Sequence, residues 1–401
     1  MAAPEGRRMT FTDIHSLRQK AKRRIPRAVF EYVDGGSYTE QTLGRNTEKL
    51  REIQLIQRVM RDVTDRDTST KIMGQDCPMP LVLGPTGLTG MIHPNGEVAA
   101  FRAACAAGIP YTLCTPAIGN TDDLHESGPE PFWFQVYVMR DKEFTRHLLH
   151  RARRAGCKTL VITVDLVVNA LRHKDARNGL AIPFKVTLPT ALDALTKPGW
   201  FLRMSRSKRR TFGNFEGYFT DKPSALSMAE WVGQQYEPLL TPDNLSWIRD
   251  EWDGPVILKG VLTPEDAQTA VDFGADGIVV SNHGGRQLDG TLSVAEALPA
   301  IRQQVGDQIA IFADSGIRTG MDIFRLLALG ADACWIGRAY LYGLGAAGQA
   351  GVSKAIDILH KELDVAMALT GCRSLSDIGP DRITCGISLD ATHNTSIRST
   401  S

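Results

Sequence analysis

A strand and helix alternate along most of the chain, from about residue 80 onward. Short apolar runs end in Gly, Ser, Thr or Asp, and helical patterns such as Glu97–Ala107, Pro264–Phe273 and Gly320–Leu329 lie between them. Continuous apolar strands separated by helices are typical of a parallel sheet covered on both faces. The runs number eight, which predicts a (β/α)8 barrel, an α/β fold of the TIM-barrel type. They are Leu81–Gly84, Tyr111–Thr115, Phe132–Val138, Thr159–Asp165, Val256–Gly260, Gly277–Ser281, Ile309–Asp314 and Ala333–Gly337.

The alternative architecture is an open, doubly wound sheet. No GxGxxG motif follows the first strand, and the polar residues of interest fall at the ends of many strands instead of at one crevice. The barrel is therefore the favoured fold. With 401 residues, 43% of them apolar and 23% charged, the chain is long enough for a barrel with insertions, and disorder or a fibrous repeat is excluded.

The net charge and the distribution of apolar residues limit the kinds of partner that the protein can bind. Forty-six Lys and Arg oppose 45 Asp and Glu, so a formal net charge of +1 gives no global field that favours nucleic acid. Prolines interrupt the longest uncharged stretches, Cys77–Gly96 and Ala103–Thr121, which disfavours a membrane-spanning helix. The N-terminus lacks the apolar run of a secretory signal, and the seven cysteines include no CxxC pair. We therefore expect a cytoplasmic protein with reduced thiols and no metal site.

The chain is expected to form one domain, residues 1–401. Residues 1–75 would cap the barrel, because Phe11–Gly36 has the pattern of two helices, with Pro26 near the start of the second. The barrel would span residues 76–385. About 90 residues separate the fourth and fifth strands, so 171–230 is interpreted as an insertion at the functional rim. The polar tail, 386–401, is expected to fray.

The segment from Ser281 to Gly290, where the sixth strand ends, has the densest set of chemically useful residues. Arg286 can bind a carboxylate with two hydrogen bonds while neutral His283 takes a proton from a neighbouring hydroxyl, which suits a hydroxy acid. Asp165, at the end of the fourth strand, is placed to orient the imidazole across the rim. The alternatives are a structural histidine and an aspartate that only caps a helix or forms a turn.

Three further strand ends carry cations and glycines. Lys259 interrupts an apolar run at the end of the fifth strand, and a buried lysine is costly unless paired, so we expect it to face an anion that forms in the site. Asp314 to Arg318 and Gly337-Arg338 end the last two strands, where TIM barrels usually bind phosphate. Glycine amides and two arginines suit a phosphate dianion, although Arg338 alone suits a surface ion pair equally well.

Taken together, these residues resemble the FMN-dependent L-2-hydroxy acid oxidase and dehydrogenase family, which includes glycolate oxidase, L-lactate dehydrogenase and mandelate dehydrogenase. The resemblance extends from about Ile25 to Ile383, and Ser281 to Asp289 is close to the family signature. It implies a barrel that binds FMN. The remaining motifs follow in the family's order: Pro85-Thr86-Gly87, Gln135-Val136-Tyr137, Thr163-Val164-Asp165, Lys259-Gly260, Asp314-Ser315-Gly316 and Gly337-Arg338.

The resemblance also implies roles for individual residues. His283 would be the catalytic base, Asp165 its partner, and Lys259 the cation beside flavin N1 and O2, where negative charge accumulates on reduction. The substrate carboxylate and hydroxyl would be held by Tyr32, Tyr137, Arg172 and Arg286. The implied FMN contacts are Pro85, Thr86, Gly87, Cys114, Gln135, Thr163, Lys259, Ser281, Asp314, Gly316, Arg318, Gly337 and Arg338.

Three positions depart from glycolate oxidase. Cys114 replaces the usual serine, and Pro116 stands where that enzyme has an aromatic side chain in the substrate pocket. Gly87 replaces a commoner alanine, as in mandelate dehydrogenase. The loss of the ring argues against a glycolate-sized pocket, and Gly87 implies by resemblance an enzyme that reacts poorly with oxygen.

The reaction implied is the oxidation of an L-2-hydroxy acid of the L-lactate or L-mandelate class to the 2-oxo acid. His283 would remove the hydroxyl proton while the C2 hydrogen leaves as hydride to flavin N5, and electrons would pass on to a quinone-type acceptor. Removal of the C2 proton by His283 to give a carbanion uses the same residues and stays open. Two other functions compete: an oxidase that uses O2 and releases H2O2, and a flavin-binding or phosphate-binding scaffold without turnover.

Residues 197–218 interleave basic and aromatic side chains with a single acidic residue, Glu216. Such a segment suits an anionic membrane surface, and the alternative is a lid whose charges are merely solvated. The stretch from Val168 to Arg172 resembles the mandelate and lactate dehydrogenases, which favours peripheral contact with the inner face of the cell membrane. By the same resemblance we expect a homotetramer.

Overall fold

Eight parallel strands close into a barrel, which confirms the predicted fold. The protein is described by a computed structural model over residues 11–180, 187–209, 211–218 and 231–384. The predicted tail, 386–401, and part of the predicted insertion lie outside the described residues. The barrel strands are β1 Leu81–Leu83, β2 Thr112–Cys114, β3 Trp133–Val136, β4 Thr159–Thr163, β5 Val256–Val261, β6 Gly277–Val280, β7 Ala310–Ala313 and β8 Ala333–Ile336.

Each barrel strand pairs in parallel with its neighbour in the chain, and β8 pairs with β1. A parallel bridge between Leu83 and Tyr111, supported by a 2.9 Å hydrogen bond from the Leu83 amide to the Pro110 carbonyl, joins β1 to the start of β2 and completes the ring. The register of β5 and β6 shifts between Lys259 and Val261, so a bulge lies at the mouth of the barrel.

Alternate residues of each strand face the inside of the barrel, as the two-residue period of a strand requires. Trp133, Phe312 and Trp335 meet there with ring centroids 5.6 to 6.4 Å apart, so bulky rings fill the interior. A hairpin of Thr70–Ile72 and Gln75–Cys77 adds Ile72 and Cys77 to the same cluster. The other strand face packs beneath the helices, and the barrel is therefore a filled core with its open space at the mouth.

The helices alternate with the strands or belong to the terminal and inserted segments. Short 3-10 turns occur at Thr89–Met91, Gly213–Phe215, Leu375–Asp377 and Pro380–Arg382. The described helices are α1 Ile14–Arg24, α2 Arg27–Asp34, α3 Gln41–Glu52, α4 Gly96–Ala106, α5 Thr121–His125, α6 Lys142–Arg154, α7 His173–Arg177, α8 Leu188–Leu195, α9 Pro198–Met204, α10 Pro242–Glu251, α11 Pro264–Asp272, α12 Val294–Val305, α13 Gly320–Ala328, α14 Arg338–Ala347 and α15 Gln349–Thr370.

The N-terminal helices lie over the mouth of the barrel. As the sequence predicted, α1 and α2 follow each other closely, and Pro26 is the residue that precedes α2. The Ser37 amide donates to the Gly285 carbonyl over 2.9 Å, which joins the segment after α2 to the loop after β6. A two-residue strand, Gln54–Leu55, pairs with Ile383–Thr384 and brings the end of the described chain back to this segment.

Helix α12 begins with a capping box whose carboxylate also ties it to α3. Glu296 accepts from the Ser293 amide and hydroxyl and from Arg45 of α3. Burial acts to raise the pKa of Glu296, but these hydrogen bonds lower it from 4.5 to about 2. Because the pKa is depressed in the folded state, the stabilisation is present above about pH 4.5 and is lost as the pH falls toward 2.

The Glu296→Gln variant should therefore lose stability at neutral pH but much less near pH 3. Urea unfolding at pH 6.5 and pH 3 measures the free energy of unfolding of both proteins. The difference between variant and parent should shrink at the lower pH. An equal difference at the two values would mean that the carboxylate charge has no part in joining α3 to α12.

Candidate active site at the mouth of the barrel

The carboxyl ends of the barrel strands surround a cavity of about 210 Å³. A second cavity, beside Glu97 and Arg209, has about 10 Å³, room for roughly one water molecule. The larger one is therefore the candidate site, in the place where TIM barrels carry their active sites. The predicted site residues on its wall are Tyr32, Pro85, Thr86, Gly87, Tyr137, Thr163, Arg172, Lys259, His283, Arg286, Asp314, Gly316, Arg318, Gly337 and Arg338.

His283 and Asp165 form a pair at this mouth, as expected from their strand-end positions. His283 Nδ1 lies 2.9 Å from Asp165 Oδ1, which directs the other ring nitrogen, Nε2, toward the cavity. A Cβ at Gly260, whose φ is +110°, would lie 2.5 Å from Asp165 Cγ. Only glycine at position 260 therefore leaves room for the carboxylate beside β5.

Asp165 is an ionised partner for the imidazole. Burial acts to raise the pKa of Asp165, but the charge of His283, their hydrogen bond and the charge of Lys259 hold it below the usual range. An ionised carboxylate accepts only, so Nδ1 carries the donated proton, and in the neutral imidazole Nε2 is the nitrogen with the lone pair. The pair has the geometry of a general base whose tautomer is set by a carboxylate.

Two tyrosines stand beside the imidazole. The Tyr137 hydroxyl lies 3.5 Å from His283 Nε2. The ring of Tyr236 meets the Tyr137 ring edge-on at 5.6 Å, and Tyr236 itself lines the cavity. Tyr236 follows the predicted insertion and reaches the site because it bridges to Met139, just beyond β3.

Two guanidinium groups flank the ring of Tyr32 and line the cavity. The guanidinium carbons of Arg286 and Arg172 lie 4.9 and 5.7 Å from the centre of that ring. Arg286 donates to the carbonyls of Tyr32 and Gly35 over 2.7 and 3.0 Å, and Arg172 pairs with Asp175 over 2.6 Å. Burial, with the charge of Arg172, lowers the pKa of Arg286. The site thus concentrates positive charge where an anionic group would be stabilised.

Lys259 is a buried cation, as predicted, with 5% of its surface exposed. Its Nζ donates to the Ser281 hydroxyl over 2.8 Å and pairs with Asp314 over 2.9 Å. Burial acts to lower the pKa of Lys259, but the charges of Asp314 and Asp165 raise it above its ordinary value. The lysine therefore stays charged at the cavity wall.

Arg338 and Arg318 also line the cavity, and Arg338 lies close to Arg286, because both guanidiniums donate to the Gly35 carbonyl. Arg338 donates to the carbonyls of Val33 and Gly35 over 3.0 and 2.8 Å, so its interpretation as a surface ion pair is wrong. A Cβ at Gly284 would lie 2.6 Å from Arg338 Nη1, which explains the glycine there. Burial, followed by the charge of Arg286, lowers the pKa of Arg338 to about 10.

Four predicted site residues lie behind the wall instead of on it. Asp165 bonds to His283, and the Ser281 hydroxyl accepts from Lys259. His283 and Lys259 are the members of these pairs that line the cavity. The Cys114 thiol donates to Gln135 Oε1 over 3.0 Å, and Gln135 Nε2 donates to the Thr163 hydroxyl over 2.9 Å. This chain of hydrogen bonds fixes the side chain that faces the cavity, Thr163.

Comparison with known proteins agrees with this geometry. The sequence profile of the FMN-dependent dehydrogenases matches residues 21–385. The chain belongs to this family. An L-lactate dehydrogenase of Ectopseudomonas mendocina (strain ymp) is 47% identical over 365 residues, 91% of this chain and 96% of the relative. One from Actinobacillus pleuropneumoniae serotype 5b (strain L20) is 46% identical over 376 residues, 94% and 98% of the two chains.

Solved structures give the same result. The crystal structure of the monotopic membrane protein (S)-mandelate dehydrogenase superposes on this FMN-dependent dehydrogenase with a TM-score of 0.89 at 34% identity, covering 94% of this chain and 100% of the other. Mandelate oxidase superposes with a TM-score of 0.80 at 35% identity, covering 94% and 98%. The protein is an FMN-dependent oxidoreductase of L-2-hydroxy acids, as predicted.

The residues present fit FMN. Arg318 and Arg338 supply two cations on the cavity wall, suited to a phosphate dianion. Lys259 supplies a further, buried cation on the wall, suited to a ring system that becomes negatively charged on reduction. The absence of a Cβ at Gly284 leaves Arg338 free to extend into this space.

Several residues of the site of this FMN-dependent dehydrogenase had no signal in the sequence that pointed to them. Leu166, Leu180, Phe212, Val232 and Tyr236 line the cavity next to the predicted residues, and all belong to or flank the long β4–β5 connection. The length of that connection indicated a functional insertion, but no periodicity indicated which of its side chains turn inward. Together they form an apolar wall beside His283 and Arg172.

Proposed function

We propose that the protein oxidises L-lactate to its 2-oxo acid and passes the electrons to a quinone in the membrane. We choose L-lactate as the substrate because two L-lactate dehydrogenases are 46–47% identical to this protein over more than nine-tenths of each chain. The mandelate enzymes are 34–35% identical. The pair of His283 and Asp165 supports oxidation that begins with removal of a proton, since a base with an ionised partner faces the cavity.

The residues of the cavity can orient a 2-hydroxy acid. Arg286 and Arg172 present two guanidiniums beside the ring of Tyr32, and we assign them to the substrate carboxylate. Tyr32 lines the cavity beside both and is assigned the same role. His283 Nε2 and the Tyr137 hydroxyl, 3.5 Å apart, would share the substrate hydroxyl.

In this pose His283 removes the hydroxyl proton, which its Nε2 lone pair accepts. The imidazolium that forms is stabilised by the carboxylate of Asp165 at 2.9 Å. FMN, when bound, supplies the acceptor for the two electrons that leave C2. If His283 instead removes the C2 proton, it is still the base, and the roles assigned to Arg286 and Arg172 are unchanged.

We assign the FMN contacts to the two remaining parts of the cavity. Asp314, Gly316, Arg318, Gly337 and Arg338 would hold the ribityl chain and phosphate. Lys259 would lie beside the pyrimidine end of the ring, with Ser281 fixing its ammonium group. Contacts along the ring would come from Pro85, Thr86, Gly87, Thr163, and, from behind the wall, Cys114 and Gln135.

The structure divides the basic and aromatic segment 197–218 into two parts. Phe212 and Phe215 are buried, so these rings are not available to a membrane, whereas Trp200 is half-buried and donates to the Met91 carbonyl over 3.0 Å. Arg209 and Lys208 pair with Asp123 over 2.7 and 3.0 Å. The expectation of an aromatic membrane face is therefore wrong for the second part, 207–218.

A different apolar face lies on α8 and α9. Leu188, Leu192, Leu195, Phe201 and Leu202 are each more than half exposed. Within the described ranges no helix combines the length and apolarity needed to cross a bilayer. We propose that this face, with the basic residues of α9 and its flanks, lies on the inner face of the cell membrane, where quinone is reduced. The likeness to a monotopic membrane dehydrogenase supports this placement.

Replacement of Leu192 and Phe201 by glutamate should release the protein from membranes. Burial of apolar area drives interfacial binding, and two carboxylates would also be repelled by anionic lipid. Sedimentation with vesicles of phosphatidylglycerol and phosphatidylethanolamine measures the bound fraction, which should fall severalfold. Leu369→Glu, an equally exposed leucine on α15, is the matched control and should leave binding unchanged. Equal binding by the double variant and the parent protein would refute the assignment.

An oxidase that returns electrons to O2 is the second candidate, because mandelate oxidase has the same fold at 35% identity. Anaerobic mixing of the yellow holoenzyme with L-lactate, L-mandelate or glycolate, followed by a quinone analogue or air, separates the possibilities. We expect L-lactate to bleach the flavin fastest and the quinone to restore it faster than air. Steady H2O2 release in air would select the oxidase, and no bleaching by any hydroxy acid would refute both.

We also propose a homotetramer, which light scattering of the purified enzyme tests.

A further inference from the structure

Two buried asparagines join the N-terminal segment to the loop after β6. Asn46 of α3 and Asn282 are 2% and 5% exposed. Asn46 Nδ2 donates to Asn282 Oδ1 over 2.9 Å, and Asn282 Nδ2 donates back to Asn46 Oδ1 over 2.7 Å. The two carboxamides thus form a reciprocal pair across 236 residues of sequence.

The Asn282 carboxamide uses its full capacity for hydrogen bonds. Besides the two bonds with Asn46, its Nδ2 donates to the Leu292 carbonyl over 3.0 Å and its Oδ1 accepts from the Gly285 amide over 3.1 Å. Two donated and two accepted bonds saturate a primary amide. A buried amide satisfied in this way has one preferred orientation, and loss of a partner leaves a polar group unpaired.

The loop that Asn282 begins has an unusual backbone. His283, Gly284 and Gly285 have φ values of +57°, +67° and +70°, and the left-handed region is costly for a histidine. Such a conformation persists only where the surroundings enforce it. His283 and Arg286, the base and one carboxylate-binding arginine of the proposed function, both belong to this stretch.

Helix α3 packs closely against this loop. A Cβ at Gly285 would lie 2.5 Å from the Leu43 amide nitrogen, and in the neighbouring loop, after β7, one at Gly316 would lie 2.6 Å from the Asn46 carbonyl oxygen. The Thr42 amide also donates to Asp289 over 2.9 Å, near the other end of the loop. The contact surface of α3 is therefore the support on which the loop rests.

We propose that Asn46 is a positioning residue for catalysis: through Asn282 it holds the left-handed loop that aims His283 and Arg286 at the substrate. The inference rests on the proposed function for the roles of those two residues. It makes the N-terminal segment part of the active site, although Asn46 does not line the cavity. A displacement of the order of 1 Å at a reacting group can cost about a hundredfold in rate.

Substitution of both asparagines, singly and together, tests the proposal. We expect Asn46→Ala holoenzyme to lose about ten- to a hundredfold in kcat for L-lactate while keeping its FMN, read from the absorbance ratio at 280 and 450 nm. Because Asn46 acts through Asn282, the double variant Asn46→Ala/Asn282→Ala should be no slower than Asn282→Ala alone. Additive losses in kcat, or a normal kcat for Asn46→Ala, would overturn the proposal.

Two further variants keep the test decisive. Arg45→Ala removes the exposed ion pair between α3 and Glu296 without touching Asn282, so it should lower the unfolding temperature and leave kcat within about twofold. If Asn46→Ala does not fold, Asn46→Asp keeps the acceptor for Asn282 Nδ2 and removes the donor to Asn282 Oδ1. It should lose part of the activity, and full activity of this variant would equally overturn the proposal.

Binding of oxalate to the holoenzyme separates this inference from the proposed function. Oxalate carries carboxylates but is not turned over, so its dissociation constant can be read from the flavin absorbance. We expect Asn46→Ala to weaken oxalate at least severalfold, because Arg286 shifts with the loop. Failure of the parent enzyme to oxidise L-lactate would refute the proposed substrate, whereas unchanged oxalate binding and turnover in Asn46→Ala would refute the positioning role.

Discussion

Replacement of His283 by asparagine is expected to slow anaerobic reduction of the flavin by L-lactate about 10²- to 10⁴-fold, the usual contribution of a positioned general base. Asparagine is neutral and cannot accept the hydroxyl proton, but it still donates a hydrogen bond that Asp165 can accept. The Asp165 carboxylate at 2.9 Å therefore keeps a partner, and the loop keeps its support from Asn282. The FMN content should stay the same, because the phosphate end of the cavity is untouched.

Stopped-flow absorbance near 450 nm measures this reduction rate directly. His150→Asn is a matched control, since His150 is an exposed histidine that contacts Glu251 and lies outside the cavity. It should reduce at the rate of the parent enzyme. Reduction of the His283→Asn flavin within tenfold of the parent rate would remove His283 from the role of base, and with it the central assignment of the proposed function.

The fold was predictable because a parallel barrel imposes a strong sequence pattern. Strands covered on both faces are continuously apolar, and the eight runs of the sequence correspond to the eight strands. The end of β5 was less predictable: the sequence indicated Gly260, but a bulge between Lys259 and Val261 carries the strand one residue further. A bulge depends on pairing with β6, which local sequence does not reveal.

In the inserted segment, amino-acid composition fails to predict which side chains are exposed. Trp200, Phe212 and Phe215 look like membrane-facing residues in the sequence, yet Phe215 is fully buried. Their surroundings are set by Asn214, whose carboxamide donates to the carbonyls of Cys114 and Thr115 about a hundred residues away. Such contacts carry no local signal, so the sequence could not tell the inward aromatic residues from the exposed leucines of α8.

The candidate site was predictable as far as strand ends converge. His283, Asp165 and Lys259 each follow a strand, and parallel strands bring their carboxyl ends to one rim. The contacts that hold the side chains of the site in place were not predictable. Arg286 and Arg338 both donate to the Gly35 carbonyl. Every residue has a backbone carbonyl, so the sequence gives no signal for such a contact. Asn46 lies on a helix that precedes the barrel, and only the closed structure places it beside Asn282.

Replacement of Arg286 is expected to have the other large effect, on binding of the substrate carboxylate. Arg286→Ala removes a buried cation from an anion site, a change that typically costs about 2–5 kcal/mol, so kcat/KM should fall roughly 30-fold or more. Arg286→Lys keeps the charge but not the planar guanidinium, which can bind both oxygens of a carboxylate while Nη1 holds the Tyr32 and Gly35 carbonyls, so it should recover only part of the loss.

Steady-state kinetics and oxalate affinity should change together in these variants, because both depend on a carboxylate at the same guanidinium. Arg302→Lys is the matched control, since Arg302 also donates to two carbonyls, those of Gly306 and Gly330, but lies outside the cavity. It should lower the unfolding temperature and leave KM unchanged. An unchanged KM for L-lactate with unaltered oxalate binding in both Arg286→Ala and Arg286→Lys would assign the carboxylate to Arg172, the other guanidinium beside the Tyr32 ring.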